Sequence, residues 1–192
     1  MTIDYQLFEL INQFAGQNNT FDQIVLWFSK YGPILFGVVF VWLWFSKSEN
    51  QNDNREIVLF ALTIVIITLG IDKIIEMTYF RPRPYVNHAV TLLVEKSNLD
   101  PSFPSNHAAG SFALALALFW KRRTAGSILL ISAFFMALSR VFIGVHYPLD
   151  LLAGAMVALA VTYVVMSQSR LLESPTNWVI RILSKSNSKK IG

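Results

Sequence analysis

Five apolar runs, at residues 24–45, 57–80, 108–120, 127–138 and 149–166, leave this chain few folds to choose from. A backbone that crosses hydrocarbon must satisfy its own hydrogen bonds, which in a chain with helix-length runs means helices. A crossing takes about 20 residues. The two middle runs, joined by the basic turn KRRTAG, are short as drawn and are expected to continue into the polar motifs that flank them. Composition agrees, since 54% hydrophobic residues, 14% aromatics and a mean hydropathy of +0.46 exceed what a soluble domain carries. The expected fold is an all-α polytopic membrane helix bundle of five or six transmembrane helices. Residues 5–14 place Tyr5, Leu7, Phe8, Leu10, Ile11 and Phe14 on one broad apolar face, which predicts an N-terminal interfacial helix with an anchoring role. The 192 residues thus read as one domain: an interfacial helix over about 1–19, a transmembrane core over 20–168 and a basic cytoplasmic tail over 169–192. Lys30 and the Gly32-Pro33 pair blur the start of the first run.

Charge sets the expected orientation. With five crossings, residues 46–56, the Lys121-Arg122-Arg123 turn and the tail share one side, and most basic residues fall there. That side is expected to be cytoplasmic. The long loop 81–104 and the segment 139–150 then meet on the opposite, outward face of the cytoplasmic membrane. The net charge of +4 comes from membrane-flanking clusters, so no nucleic-acid partner is expected. The N-terminal residues are acidic and do not resemble a cleavable signal. There is no cysteine, which excludes disulfides and thiolate metal sites.

Ionisable residues inside such a chain mark function. The segment SRVFIGVHYPLD contains Arg140, His146 and Asp150. Pro148 suits the first turn of a helix, so His146 and Asp150, four apart, share a face. A carboxylate bonded to one imidazole nitrogen would fix the tautomer and leave the other as base or nucleophile. Arg140 supplies a planar cation for an anionic oxygen group. Upstream, Pro104-Ser105-Asn106-His107 precedes an apolar run, placing Ser105 as an N-cap at a helix terminus suited to an anion. Taken singly, each motif also fits a bland reading, a capped helix start or a hydrogen-bonded histidine.

In this order the three segments resemble the superfamily of type 2 phosphatidic acid phosphatases, whose signature is KxxxxxxRP, then PSGH, then SRxxxxxHxxxD. The third block fits without a gap at Ser139, Arg140, His146 and Asp150, and the second fits with Asn106 in place of glycine. The first departs from the pattern. Of Arg81-Pro82 and Arg83-Pro84, Arg83 is the better match, yet the position seven before it is Glu76; Lys73 lies one helical turn deeper. Their spacing predicts that Lys73 pairs with Glu76 and that Arg83 takes over the phosphate duty usually shared with the lysine. Small size, FPSNH and PRPY look most like the bacterial undecaprenyl-diphosphate phosphatases of the bacitracin-resistance type.

The resemblance implies His146 as nucleophile, Asp150 as its support and His107 as the acid that protonates the leaving group. It also implies Arg83, Arg140, Ser105, Arg81 and Lys73 around the phosphate, with no metal and no cofactor. The implied partner is a polyprenyl diphosphate lipid within the membrane. Rival readings are a phosphatase for phosphatidylglycerophosphate, phosphatidate or lipid A and, from another class, a non-enzymatic lipid-binding or transport protein. Vanadium haloperoxidases share the motif set but are soluble and much larger. Oligomeric state is not legible in one sequence.

Overall fold

The computed structural model describes residues 2–46, 51–94 and 100–169, together with Thr176 and Ile180. Seven helices and no strand occur among them: α1 (Ile3–Asn12), α2 (Asn19–Phe45), α3 (Gln51–Thr78), α4 (Pro84–Asn87), α5 (Asn106–Lys121), α6 (Arg123–Phe142) and α7 (Pro148–Ser167). Four of them, α2, α3, α6 and α7, are long and apolar enough to cross a membrane. The 16-residue α5 spans only about 24 Å at 1.5 Å per residue, and it sits at the centre of the bundle. The all-helical class is as expected, and the fifth crossing rests on α5.

The centre is built from small side chains. Ala108, Ala109, Ala113, Ala115 and Ala117 of α5 are fully buried, which lets backbones approach closely, as membrane helices do when no water drives them together. One such close approach lies beside the site. A Cβ on Gly154 of α7 would sit 2.7 Å from the Ser105 carbonyl oxygen and 3.0 Å from the Ala109 nitrogen. Outward, Ile34 and Trp42 of α2, Ile66 of α3, Phe134 of α6 and Met156 of α7 are exposed, forming an apolar surface far beyond what a soluble monomer presents.

Two boundaries differ from those expected. Helix α2 begins at Asn19 and runs through Pro33; its N-cap Asn18 accepts from the Phe21 nitrogen at 3.1 Å, so the cap rather than the apolar run sets the start. Helix α3 begins at Gln51, inside the expected polar loop. Its first turns are tied to the basic turn by Lys121 donating to Glu56 at 2.9 Å and by Arg122 donating to Asn54. The basic tail, apart from Ser169, Thr176 and Ile180, lies outside the described residues, as does Lys47.

Helix α1 does more than anchor. Ile3, Leu7 and Leu10 are exposed, as is Phe14 in the turn that follows, while Tyr5 and Phe8 are buried, so one face suits a membrane interface and the other packs on the bundle. Two buried polar residues point inward with it. Asn12 donates to the carbonyls of Thr91 and Phe142, each at 2.8 Å, and accepts from the Thr91 nitrogen at 3.0 Å. The long loop is thereby pinned to the end of α6.

Candidate active site

The site forms where α6 ends and α7 begins. Gly144 has φ +89, a left-handed conformation that reverses the chain after α6, and a Cβ there would lie 2.7 Å from the Thr91 carbonyl oxygen. The turn leads to His146, and Pro148 opens α7 as expected for its missing N–H. At the third helical position Asp150 accepts from the Tyr147 nitrogen at 2.8 Å, fastening the helix start.

His146 is buried, and its Nδ1 lies 2.7 Å from the Ser102 carbonyl oxygen. A carbonyl only accepts, so Nδ1 carries the proton and Nε2 carries the lone pair. Nε2 faces the Arg83 guanidinium at 3.3 Å. The direct Asp150 bond expected from the four-residue spacing is absent: Asp150 Oδ2 lies 3.7 Å from Nδ1. It accepts instead from the Ser102 hydroxyl at 2.5 Å. The carboxylate therefore acts on the imidazole through Ser102, whose two oxygens contact one residue each. Burial pushes the His146 pKa down to about 4 from the usual 6.5, with Arg83 and Arg140 adding to the shift and Asp150 opposing it. The ring is neutral across the ordinary pH range.

The arginines divide into two roles. Arg83 is buried, held by its Nε on the Asp100 carbonyl at 3.2 Å and by Nη1 on the Val145 carbonyl at 3.1 Å. These bonds aim it at His146. Arg81, expected around the phosphate, instead bridges two carboxylates, donating to Asp150 Oδ1 and to Asp4 Oδ2 at 2.5 Å each. It also lies 4.2 Å over the Tyr147 ring. Two ion pairs of this kind leave it a brace between α1 and α7. Asp4 completes the brace by accepting from the Leu149 nitrogen at 3.0 Å.

Arg140 and His107 line one cavity of about 420 Å³, together with Ser29 and Lys30 of α2, Leu93 and Val94 of the long loop, Leu26 and Ile143. Arg140 is buried and donates to the Ser29 hydroxyl at 2.7 Å, while its Nε is buried without a partner among the described residues. Ser105 occupies the N-cap position of α5, but its side chain makes no capping bond, and its fully buried hydroxyl likewise has no partner among the described residues. Native interiors leave few polar atoms unsatisfied, so two in one motif set call for an explanation.

Lys73 is elsewhere. It pairs with Glu76 at 3.2 Å as their spacing predicts, and Asn106 donates to the same carboxylate at 2.5 Å. Lys73 is not among the residues that line the His107–Arg140 cavity. Sequence reasoning missed Asp4, Ser29 and Ser102. Only Asp4 offered a signal, a carboxylate at the start of an apolar helix. Among the described residues no group of three histidine, aspartate or glutamate side chains converges as a metal site would require.

Helices packed around α5 thus present a buried neutral histidine with the buried Arg83 beside it, and the buried Arg140 in the same motif, at one end of a membrane bundle. Residues 57–173 match the PAP2 superfamily, and the chain belongs to it. Among its relatives, the undecaprenyl-diphosphatase BcrC of Bacillus subtilis (strain 168) is 30% identical over 180 residues, covering 94% of this chain and 91% of that protein. An undecaprenyl-diphosphatase of Sulfolobus acidocaldarius is 33% identical over 152 residues, 78% of this chain and 70% of the relative. The crystal structure of Aquifex aeolicus LpxE superposes with a TM-score of 0.72 at 24% identity, over 87% of this chain and 96% of that one. The protein is an integral membrane protein of that fold.

Proposed function

We propose that this protein is a lipid-diphosphate phosphatase that hydrolyses undecaprenyl diphosphate to undecaprenyl phosphate and inorganic phosphate. Such a reaction recycles an envelope lipid carrier and opposes bacitracin. The observation that carries the reading is the pair of buried, unpartnered polar atoms, Ser105 Oγ and Arg140 Nε, in the two motifs that also hold His107 and His146. A tetrahedral anion supplies what both lack. The likeness to undecaprenyl-diphosphatases over most of the chain favours a polyprenyl diphosphate over phosphatidylglycerophosphate, phosphatidate or lipid A.

In this reading the His146 Nε2 lone pair attacks the terminal phosphorus, and the bond from phosphorus to the bridging oxygen breaks. A phosphohistidine forms, and the polyprenyl monophosphate departs with a proton from His107. Water, deprotonated by His107, then attacks phosphorus; the P–N bond breaks, releasing phosphate and returning the electron pair to Nε2. Arg83, Arg140, Ser105 and the N-terminal amides of α5 stabilise the equatorial oxygens. Asp150 and Ser102 hold the imidazole, and Arg81 holds Asp150. The chain's own side chains and backbone amides perform each step, with no metal or cofactor assigned a role. An apolar groove of about 380 Å³ between α2 and α6, lined by Val25, Phe28, Phe135 and Leu138 among others, gives the polyprenyl tail a place beside the headgroup cavity.

The test is initial-rate phosphate release by purified protein across undecaprenyl diphosphate, phosphatidylglycerophosphate, phosphatidate and lipid A, with and without EDTA. Highest kcat/KM on the diphosphate, unchanged by chelation, is expected. Preference for a monoester would replace the substrate assignment, and loss restored only by a divalent ion would contradict the metal-free chemistry.

We further infer a five-crossing domain in the cytoplasmic membrane with the site facing outward, from the distribution of basic residues. Asn87 and Thr124 are both exposed and lie on opposite sides in this topology. Cysteines placed singly at these positions in the cysteine-free chain should distinguish the orientations. In intact cells an impermeant maleimide is expected to label Asn87→Cys and not Thr124→Cys; the reverse pattern inverts the topology.

A further inference from the structure

Lys30 is an intramembrane cation that none of the motif residues explains. It lies about three turns inside α2, on a helix whose neighbouring positions Trp27 and Ile34 are exposed apolar side chains. An ammonium in such surroundings is costly unless it faces a polar cavity or an anion. Lys30 has such a cavity, since it lines the same one as His107 and Arg140. The ammonium lies 5.2 Å from the adjacent Tyr31 ring. The neighbouring Ser29 is joined to Arg140 at 2.7 Å, which fixes this turn of α2 against the site.

We propose that Lys30 binds the lipid-proximal phosphate of a diphosphate substrate and thereby selects diphosphates over phosphate monoesters. The inference rests on the phosphatase reading given above. Arg83 is aimed at the His146 nucleophile and so serves the phosphate under attack. The second phosphate, which leaves with the lipid, must lie on the side of the acid His107, and Lys30 lines that cavity. As the bridging bond breaks, negative charge grows on the leaving phosphate. A cation placed there stabilises the transition state more than the ground state. Lys30 also replaces in function the lysine that the first motif lacks at position 76, because Lys73 is paired with Glu76 outside this cavity. A monoester leaves as an alcohol with no second phosphate, so Lys30 has nothing to grip on it.

The experiment compares kcat/KM of the wild-type protein, Lys30→Met and Lys30→Arg on a polyprenyl diphosphate and on phosphatidate. Lys30→Met keeps a flexible unbranched apolar stem and removes the ammonium, with its charge and its three donors. The ratio of diphosphate to phosphatidate kcat/KM is expected to fall at least about tenfold, the equivalent of one lost ionic contact, and Lys30→Arg to restore most of it. An unchanged ratio in folded Lys30→Met overturns the Lys30 assignment while leaving the phosphatase reading standing. A parallel fall on both substrates makes Lys30 a general structural or electrostatic element and also overturns it. Wild-type protein inactive on both lipids would remove the phosphatase reading and this inference with it.

Discussion

His146→Ala is expected to reduce phosphate release by about 10⁴-fold or more, the scale seen when a covalent nucleophile is removed, while the protein remains folded. The side chain is buried and joined to the Ser102 carbonyl, so alanine leaves a cavity and an acceptor without its donor. His146→Gln, which can keep a donor to Ser102, guards against reading instability as lost chemistry. Both variants should be inactive with a helical spectrum close to wild type. Substantial activity in either, at matched folded protein, would contradict the nucleophile assignment. The pH dependence follows from the same burial. Because the His146 pKa is depressed to about 4, the nucleophile stays deprotonated until strongly acid pH, and its limb of the activity profile belongs near that value. Stability changes with the same sign: the unfolded histidine takes a proton more readily than the folded one. Stability from this residue is therefore full above about pH 6.5 and is lost as the pH falls toward 4.

The second large effect separates two cations that the first motif would treat as equals. Arg83→Ala is expected to lower kcat/KM by about 10²–10³-fold, the range for removing one donor to a transition-state oxyanion. Its guanidinium stands 3.3 Å from His146 Nε2 and is held there by two backbone carbonyls. Lys73→Ala should cost less than about fivefold, since its ammonium is exposed and pairs with Glu76 outside the cavity. Asn106 still donates to Glu76 when the lysine is gone. Glu76→Gln should be tolerated for the same reason. Equal damage from the Lys73 and Arg83 variants, in folded protein, would make the lysine a direct phosphate ligand.

Much of the architecture was legible because helical membrane crossings announce themselves as apolar runs, and the all-helical class needed nothing more. Boundaries were less legible where a local cap outranked hydropathy, as at Asn18, or where polar residues such as Asn54 and Glu56 continued a helix beyond the apolar run to meet the basic turn. In the site, the local relation was readable: Pro148 begins α7 and Asp150 fastens its first turn. The long-range relations were not. Ser102 comes between Asp150 and the imidazole, and Asp4 captures Arg81; neither pairing leaves a periodic trace, because the partners are 48 and 77 positions apart. A helix that sequence marks only as amphipathic can therefore carry the carboxylate that holds Arg81 of the long loop. The same limitation explains Lys30, which hydropathy registers as an interruption and the fold turns toward the cavity of His107 and Arg140.

The central claim is covalent chemistry at His146, and rapid-quench trapping tests it most directly. Wild-type protein would be mixed with a polyprenyl diphosphate labelled at its terminal phosphate, quenched in alkali during the first turnover, and mapped for protein-bound label. An acid-labile, alkali-stable phosphohistidine at residue 146, lost in His146→Gln, is the expected result. Label at another residue, or label that persists in His146→Gln, would contradict the account.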